Sequence, residues 1–287
     1  MIMDEKDKQS KIDLVCGMDL TEYADVAPIS HGEKEFYFCG KGCEDRFKKD
    51  PERFQKEPLI KLNNVWKIFK LGGAETKVLR GLNLHIWEGD FVAVIGPSGS
   101  GKSTALNMIG LLDRPTSGHI FLNGEDASLL NDDKRAELRS KTFGFVFQQY
   151  NLIPWLTAYE NAILPLIFSG KNDTEKLDAH FKEVGLKERL THRPFELSGG
   201  EQQRAALLRA LANDPEIILG DEPTGNLDSA TGNKILEMLI DLNKTHKKTL
   251  IIVTHDADIA EKANQVIAFM DGQLARNHQA HKKTYTE

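Results

Sequence analysis

An α/β fold with a mixed, mostly parallel sheet, preceded by a much smaller module, is predicted by three features of this sequence. The first is a series of short apolar runs, FVAVIG, FGFVFQ, EIILGDEP and TLIIVTH, each suited to a buried strand with polar or glycine residues at its C-terminal end. The second is the helical patterning between them, as in KSTALNMIGLL and SGGEQQRAALLRAL. Strands alternating with helices form parallel sheets covered by those helices, and ligands gather at the carboxyl ends of the strands. The third is a composition break in DPERFQKEPL, near residues 50–59. All three cysteines of the 287-residue chain lie before it, within the first 43 residues. The expected organisation is a disordered N-terminus over 1–11, a small module over 12–57, the α/β domain over 58–275 and a fraying tail over 276–287.

Composition narrows the function. With 40% hydrophobic and 28% charged residues, the balance is that of an ordinary globular protein. A formal net charge of −6 leaves no basic footprint, so nucleic acid is excluded as a main partner. The opening MIMDEKDKQSK is polar and lacks the apolar stretch of a secretory signal. The most apolar region, NLIPWLTAYENAILPLIFSG, contains Glu160 and two prolines and falls short of the roughly 20 apolar residues of a membrane span. A cytoplasmic location is expected, where thiols stay reduced and clustered cysteines point to metal more often than to disulfides.

GPSGSGKST, comprising Gly96, Pro97, Ser98, Gly99, Ser100, Gly101, Lys102, Ser103 and Thr104, follows one of the strands and opens a helix. Glycines at this spacing let successive backbone N–H groups turn towards phosphates, and the helix presents its positive end to them. Lys102 supplies a point charge for β- and γ-phosphates, and the Ser103 hydroxyl is a ligand for Mg²⁺. A plain glycine turn is the alternative, and the strand and helix on either side argue against it. Asp221, at the end of IILGD, is placed to hold Mg²⁺ through water, and the adjacent Glu222 to polarise an attacking water as general base.

LSGGEQQR, residues 197–204, resembles the signature of the ATP-binding-cassette (ABC) ATPases. The resemblance runs from about residue 59 to 274 and implies a P-loop NTPase fold with a helical subdomain. It implies that Ser198, Gly199 and Gly200 meet the γ-phosphate bound by an opposite subunit, so that a homodimer encloses two ATP. By the same resemblance Gln148 senses Mg²⁺ and nucleotide, His255 contacts the γ-phosphate, Asp228 crosses the dimer interface and Phe69 stacks on adenine. FVFQQYNLIPWLTAYENAILPL and GDEPTGNLDSATG resemble most the branch serving macrolide export, lipoprotein release and cell division. That branch implies an integral membrane permease with few spans, and an ATPase peripheral on the inner face of the plasma membrane. The alternatives are a non-transport ATPase of the cell-division type, and a metal sensor or chaperone with a nucleotide switch. Glu222 argues for hydrolysis over a purely binding role.

The cysteine segment, LVCGMDL followed by FYFCGKGCEDRFKKDPERF, resembles a YHS domain, a short metal-associated module related to treble-clef-like fingers. Gly40 stands where that pattern has a small hydroxyl residue. Three thiolates, Cys16, Cys39 and Cys43, suit Cu(I), or Zn²⁺ with a fourth ligand, for which His31 is the nearest candidate. With few large apolar side chains in some 45 residues, a metal would help the module fold. Packing of the thiols in a small core is the alternative. His85, His119, His180, His192 and His246 are expected to be structural or solvated, and Trp66, Trp87 and Trp155 to pack. Trp155 lies in the stretch expected to face the permease. His278 and His281 are expected in a solvated tail.

Overall fold

The structure, a computed structural model, describes residues 11–171 and 175–276, which form two compact units. One comprises residues 11–87, 95–129 and 267–276, the other residues 88–94 and 130–266. The expectations for residues 1–10 and 277–287, with His278 and His281, lie outside the described residues.

In the second unit, the strands Phe91–Ile95, Thr249–Val253, Ile217–Asp221 and Phe143–Phe147 lie side by side in that order, every pair parallel. Val253 is level with both Val94 and Asp221, and Asp221 with Phe147, so the strands end together. Such strands are apolar throughout because helices cover both faces. Leu207 of the helix Gly199–Leu211 and Ile235, Leu236 and Leu239 of the helix Ser229–Lys244 share one core with Ile218, Leu250 and Ile252. A helical subdomain has its own core of Ala158, Ala162, Leu166, Phe181, Ala205 and Leu208. The helix Ala158–Phe168, in the most apolar stretch of sequence, opens with a capping box between Thr157 and Glu160. Among the described residues no helix is long and apolar enough to cross a membrane.

The first unit carries an antiparallel sheet in which the strand Ile60–Leu71 pairs with Ala74–Ile86 on one side and Ser117–Leu122 on the other. The helix Lys102–Ile109 follows the glycine loop. Ahead of the sheet, the hairpin Ile29–His31 and Lys34–Phe36 and the helix Lys41–Lys49 build the cysteine module. This module is richer in apolar side chains than the sequence reading allowed. Phe36, Phe38, Phe47 and Phe54 are buried with Val15 and Leu20, and Phe36 lies 4.7 Å from Phe47 between ring centres. The difference arises because the core is shared. Trp87, just beyond the strand Ala74–Ile86, stands edge-on to Phe54 at 5.0 Å and donates its indole N–H to Val15 O at 2.9 Å. Val15–Gly17 also lies against that strand: His85 N donates to Cys16 O at 2.8 Å. Gly17 has φ +82°, and a Cβ there would stand 2.7 Å from Leu84 C and His85 N. His85 is structural, with Nδ1 3.2 Å from Leu14 O and burial pushing its pKa down.

Two residues assigned to frayed ends are tied down. Lys11 O accepts from Leu20 N at 2.7 Å. Arg276 pairs with both carboxylate oxygens of Asp25, at 2.7 and 2.8 Å, and its guanidinium covers the Tyr23 ring. Charge and ring contact overcome the end-fraying that composition predicts.

Candidate nucleotide and metal sites

The glycine loop is built by backbone close approach. Gly272 N donates to Ser100 O at 2.9 Å, and Arg80 N to Gly272 O at 3.0 Å. A Cβ at Gly96 would lie 2.3 Å from Phe269 O, and one at Gly101 3.0 Å from Val78 O. Gly101, at φ +102°, enters the helix Lys102–Ile109 with no side-chain cap, and the N-terminus of such a helix suits an anion. Lys102 curls over the loop, its Nζ donating to Gly96 O and Pro97 O at 2.8 Å each. Ser98 and Gly99 form an exposed tip, Ser103 is exposed on the first helical turn with Thr104 beside it, and Ser100 is buried with an unpartnered hydroxyl. These groups fit a polyphosphate, and the Ser103 hydroxyl is the kind of hard oxygen donor Mg²⁺ takes. Phe69 is half exposed in the same unit, with Lys67 Nζ 5.0 Å from its ring centre.

In the second unit the strand ends bring three predicted residues together. Asp221 closes its strand, and Glu222 takes a left-handed φ of +46°, held by its N–H donating to Val253 O at 2.9 Å. A non-glycine residue there is strained, and such strain persists where surrounding contacts enforce it. Glu222 Oε1 stands 3.3 Å from His255 Nδ1. Gln148 O accepts from Asn226 Nδ2 at 2.9 Å, and a Cβ at Gly225 would lie 3.0 Å from Gln148 Nε2 and 3.3 Å from Glu222 Oε2. Gln148, Glu222 and His255 therefore face one another around the turn after Asp221. Sequence reasoning missed two supports. Gln203 is wholly buried, its Nε2 donating to Pro223 O. Arg209 donates to the carbonyls of Tyr150 and Asn151, consecutive residues at φ +58° and +51°. Both lie on the helix that LSGGEQQR opens, and a polar residue on its buried face was the available signal.

Ser198 is the N-cap of that helix, accepting from Glu201 N at 3.3 Å while Glu201 Oε2 accepts from Ser198 N at 2.8 Å. These bonds from Ser198 hold the Glu201 carboxyl below its usual range. Ser198, Gly199 and Gly200 line a cavity of about 320 Å³ together with Asp228 and Thr231. Asp228 caps the helix Ser229–Lys244 through Thr231 N at 3.1 Å, and hydrogen bonds from the Thr231 hydroxyl and then its N–H keep its pKa low. Trp155, expected to pack, is instead 71% exposed, in the stretch just ahead of the capped helix Ala158–Phe168.

The three cysteines converge. Cys16 and Cys39 sulfurs are 3.7 Å apart, Cys39 and Cys43 sulfurs 3.5 Å, and all are buried. Asp13, which the sequence reading did not select, joins them. One of its carboxylate oxygens and the three sulfurs all lie within 4.8 Å of one another. Its Oδ1 accepts from Val15 N at 2.8 Å and Cys16 N at 3.3 Å, and Oδ2 from Cys39 N at 2.7 Å. Hydrogen bonds from Cys16 and Cys43 lower Cys39 to about 3. Burial, with the negative charge on Cys39, raises Asp13 to about 7. Cys16 is raised well above the usual thiol range, chiefly by its hydrogen bond to Cys39. For Cys43 a lowering by Cys16 is outweighed by Cys39 and burial, so it too is raised. His31 is not in the cluster. It is exposed on the hairpin, its ring edge-on to Phe47 at 5.6 Å, so the fourth-ligand expectation for it is corrected. No sequence signal marked Asp13; the tight turn in which Gly17 N returns to Asp13 O at 2.7 Å is what buries it beside Cys16.

Comparison with known proteins gives consistent matches. A family model described as "ABC transporter" matches residues 79–225. The lipoprotein-releasing system ATP-binding protein LolD of Legionella pneumophila is 45% identical over 75% of this chain and 96% of its own. The macrolide export ATP-binding/permease protein MacB of Wolinella succinogenes is 45% identical over 78% of this chain, which spans 35% of MacB. The dimeric, post-hydrolysis structure of the cassette MJ0796 bound to ADP and Pi, from Methanocaldococcus jannaschii, superposes with a TM-score of 0.71 at 46% identity. That match covers 76% of this chain and 97% of the other.

Proposed function

The chain belongs to the ABC transporter family as an ATP-binding, ATP-hydrolysing subunit, and from that premise we propose how its residues divide the work. Lys102 and the N–H groups around Gly101 hold the β- and γ-phosphates, Ser103 and Asp221 hold Mg²⁺ with Gln148 near it, and Phe69 stacks on adenine. Glu222 takes the proton of the attacking water, and His255, against the Glu222 carboxylate, meets the γ-phosphate. Ser198, Gly199 and Gly200 engage ATP held by a second copy, with Asp228 at the junction. The observation that carries this reading is the cavity shared by the signature residues and Asp228. It is lined by a helix N-terminus and holds no cationic anchor except Arg204, as expected of a half-site completed by a partner. LolD is named for lipoprotein release and MacB for macrolide export, the latter as an ATP-binding/permease protein. Their similarity supports a membrane permease as the second partner; the few spans of that permease and a position on the inner face of the plasma membrane are part of the same proposal.

Residues 12–57 act as a YHS-type module that binds one soft metal ion, Cu(I) or Zn²⁺, through Cys16, Cys39 and Cys43. The sulfur spacing supports this: thiolates sharing an ion at about 2.3 Å stand roughly 3.8 Å apart, close to the 3.5 and 3.7 Å separations here.

The nucleotide reading is tested by phosphate release from Mg-ATP as protein concentration is varied. A rate per chain that rises with concentration and saturates is expected of a two-chain site. A rate per chain independent of concentration, with the protein monomeric throughout, overturns it.

A further inference from the structure

Resting on the reading of residues 12–57 as a metal module, we infer that Asp13 supplies the fourth ligand and that the occupant is a divalent, tetrahedral ion of the Zn²⁺ class, held permanently. Asp13 is 0% exposed, and among the described residues its carboxylate is held by backbone N–H groups. A carboxylate has about four acceptor positions. Backbone N–H groups of Val15, Cys16 and Cys39 take three of them, which leaves one for an ion. The same bonds fix where it points, since two come from the Cys16 turn and one from Cys39 itself. An oxygen and three sulfurs mutually within 4.8 Å are the corners of a single coordination shell.

The donor set chooses the ion. Cu(I) is satisfied by thiolates, whereas a carboxylate oxygen is a harder donor that Zn²⁺ accepts readily. Charge points the same way. Three thiolates and a carboxylate carry four negative charges, of which a divalent ion cancels two and a monovalent ion one. In a site this buried the smaller residue of charge is the less costly. Each thiol that binds gives up its proton to solvent.

Closure argues for permanence. Four protein ligands leave no open position, the hallmark of structural zinc. The ion also joins the Cys39–Cys43 segment to the Val15–Gly17 turn, which itself meets the strand Ala74–Ile86 through Cys16 O with His85 N and Trp87, just beyond that strand, through Val15 O. The ion fastens the module to that strand and is neither cargo in transit nor a catalytic centre.

The test uses the full chain, freed of metal under reducing conditions, with Co²⁺ as spectroscopic probe and Zn²⁺ as competitor. One Co²⁺ per chain is expected, with thiolate charge-transfer bands, tetrahedral d–d bands and displacement by Zn²⁺. Asp13→Asn should weaken Zn²⁺ by more than the roughly 10–100-fold typical of a supporting hydrogen-bond partner. Asp13→Cys should keep the stoichiometry and raise the charge-transfer intensity by about one third, as a fourth thiolate joins three. This gain of signal stands even if Asp13→Asn folds poorly. His31→Ala should leave spectrum and affinity unchanged. A wild-type chain that takes up no Co²⁺, Zn²⁺ or Cu(I) overturns the metal module itself. If the chain binds metal through its cysteines but Asp13→Cys leaves the spectrum unaltered, or binds Cu(I) and no divalent ion, only the role of Asp13 falls.

Discussion

At Gly101 and again at Gly40 the chain enters a helix through a glycine that offers no side-chain cap. The two entrances then diverge. Gly101 has φ +102° and its loop is pressed onto Val78 and Phe269 by backbone contacts, so the groups left to meet a ligand are N–H dipoles. Gly40 is extended, at φ 179°, and beside it the work falls to the side chains of Cys39 and Cys43. A site made of backbone dictates glycines at fixed spacing within a few residues. A site made of side chains can draw its donors from anywhere the fold delivers them, as Asp13 meets Cys39 from 26 residues away. The Gly101 loop and the Cys16–Gly17 turn, which brings Cys16 to Cys39, nevertheless rest on one strand, Ala74–Ile86, at Val78 and near its end at His85.

The comparison breaks most visibly at the chemistry of hydrolysis, which only the nucleotide side performs. Glu222→Gln keeps size and hydrogen bonding but removes the base. Turnover should fall by about 10²–10⁴-fold, while ATP still binds and an ATP-bound dimer persists on a sizing column. Metal binding by the cysteines should be untouched. Wild-type phosphate release from this variant would take the role of base away from Glu222.

Ser198→Arg tests the half-site reading. A bulky cation would fill the cavity that Ser198 shares with Asp228, so ATP-driven dimerisation should be lost while the phosphate loop binds nucleotide almost as before. Loss of the helix cap adds a stability cost of about 1 kcal/mol. Light scattering with and without ATP separates the two effects. A dimer that still forms on ATP addition would show that the signature does not act across two chains.

The same contrast explains what was legible beforehand. The four parallel strands and the helices between them were readable because each strand is buried on both faces and so is apolar along its length. The glycine loop was readable because the close backbone approaches at Gly96 and Gly101 impose spacing. Asp13 was not, since a buried carboxylate looks like any surface aspartate until the turn that hides it is known. The module's core was underestimated for a related reason: Trp87 belongs to the following segment of sequence, and only the fold brings it to Phe54. Trp155 erred the other way, as an apolar residue whose exposure no local pattern announces.

The seats on the shared strand can be compared directly through Gly17→Ala and Gly101→Ser. Both positions have positive φ, which costs an L-residue about 1–2 kcal/mol. At Gly17 the new Cβ would also stand 2.7 Å from backbone atoms of Leu84 and His85, which cannot move aside as a flexible side chain can. Gly17→Ala should therefore lose about 2 kcal/mol or more, and Gly101→Ser, whose nearest contact is 3.0 Å, somewhat less. Urea denaturation of the metal-loaded chain measures both. Equal losses at the two sites would show that φ alone sets the cost and that the approach to His85 is looser than its geometry.

The smallest effect should come from Gly40→Ser, and its sign is the informative part. Gly40 precedes the helix Lys41–Lys49 in an extended conformation open to any residue, and no side chain caps the helix. A serine hydroxyl there can accept from a first-turn N–H, as Ser198 accepts from Glu201 at its own helix. The gain over glycine should be only a few tenths of a kcal/mol, because glycine is itself a tolerated N-cap. Metal affinity should stay the same, since the change adds a cap to Cys43's helix without touching the sulfurs. The shift in denaturation midpoint is to be read on metal-loaded and metal-free chain side by side. A stabilisation of equal size in both states places the benefit in the helix. A loss of stability, or a fall in metal affinity, would mean that the entrance at Gly40 is as crowded as the one at Gly101 and that the two loops differ less than their backbone angles indicate.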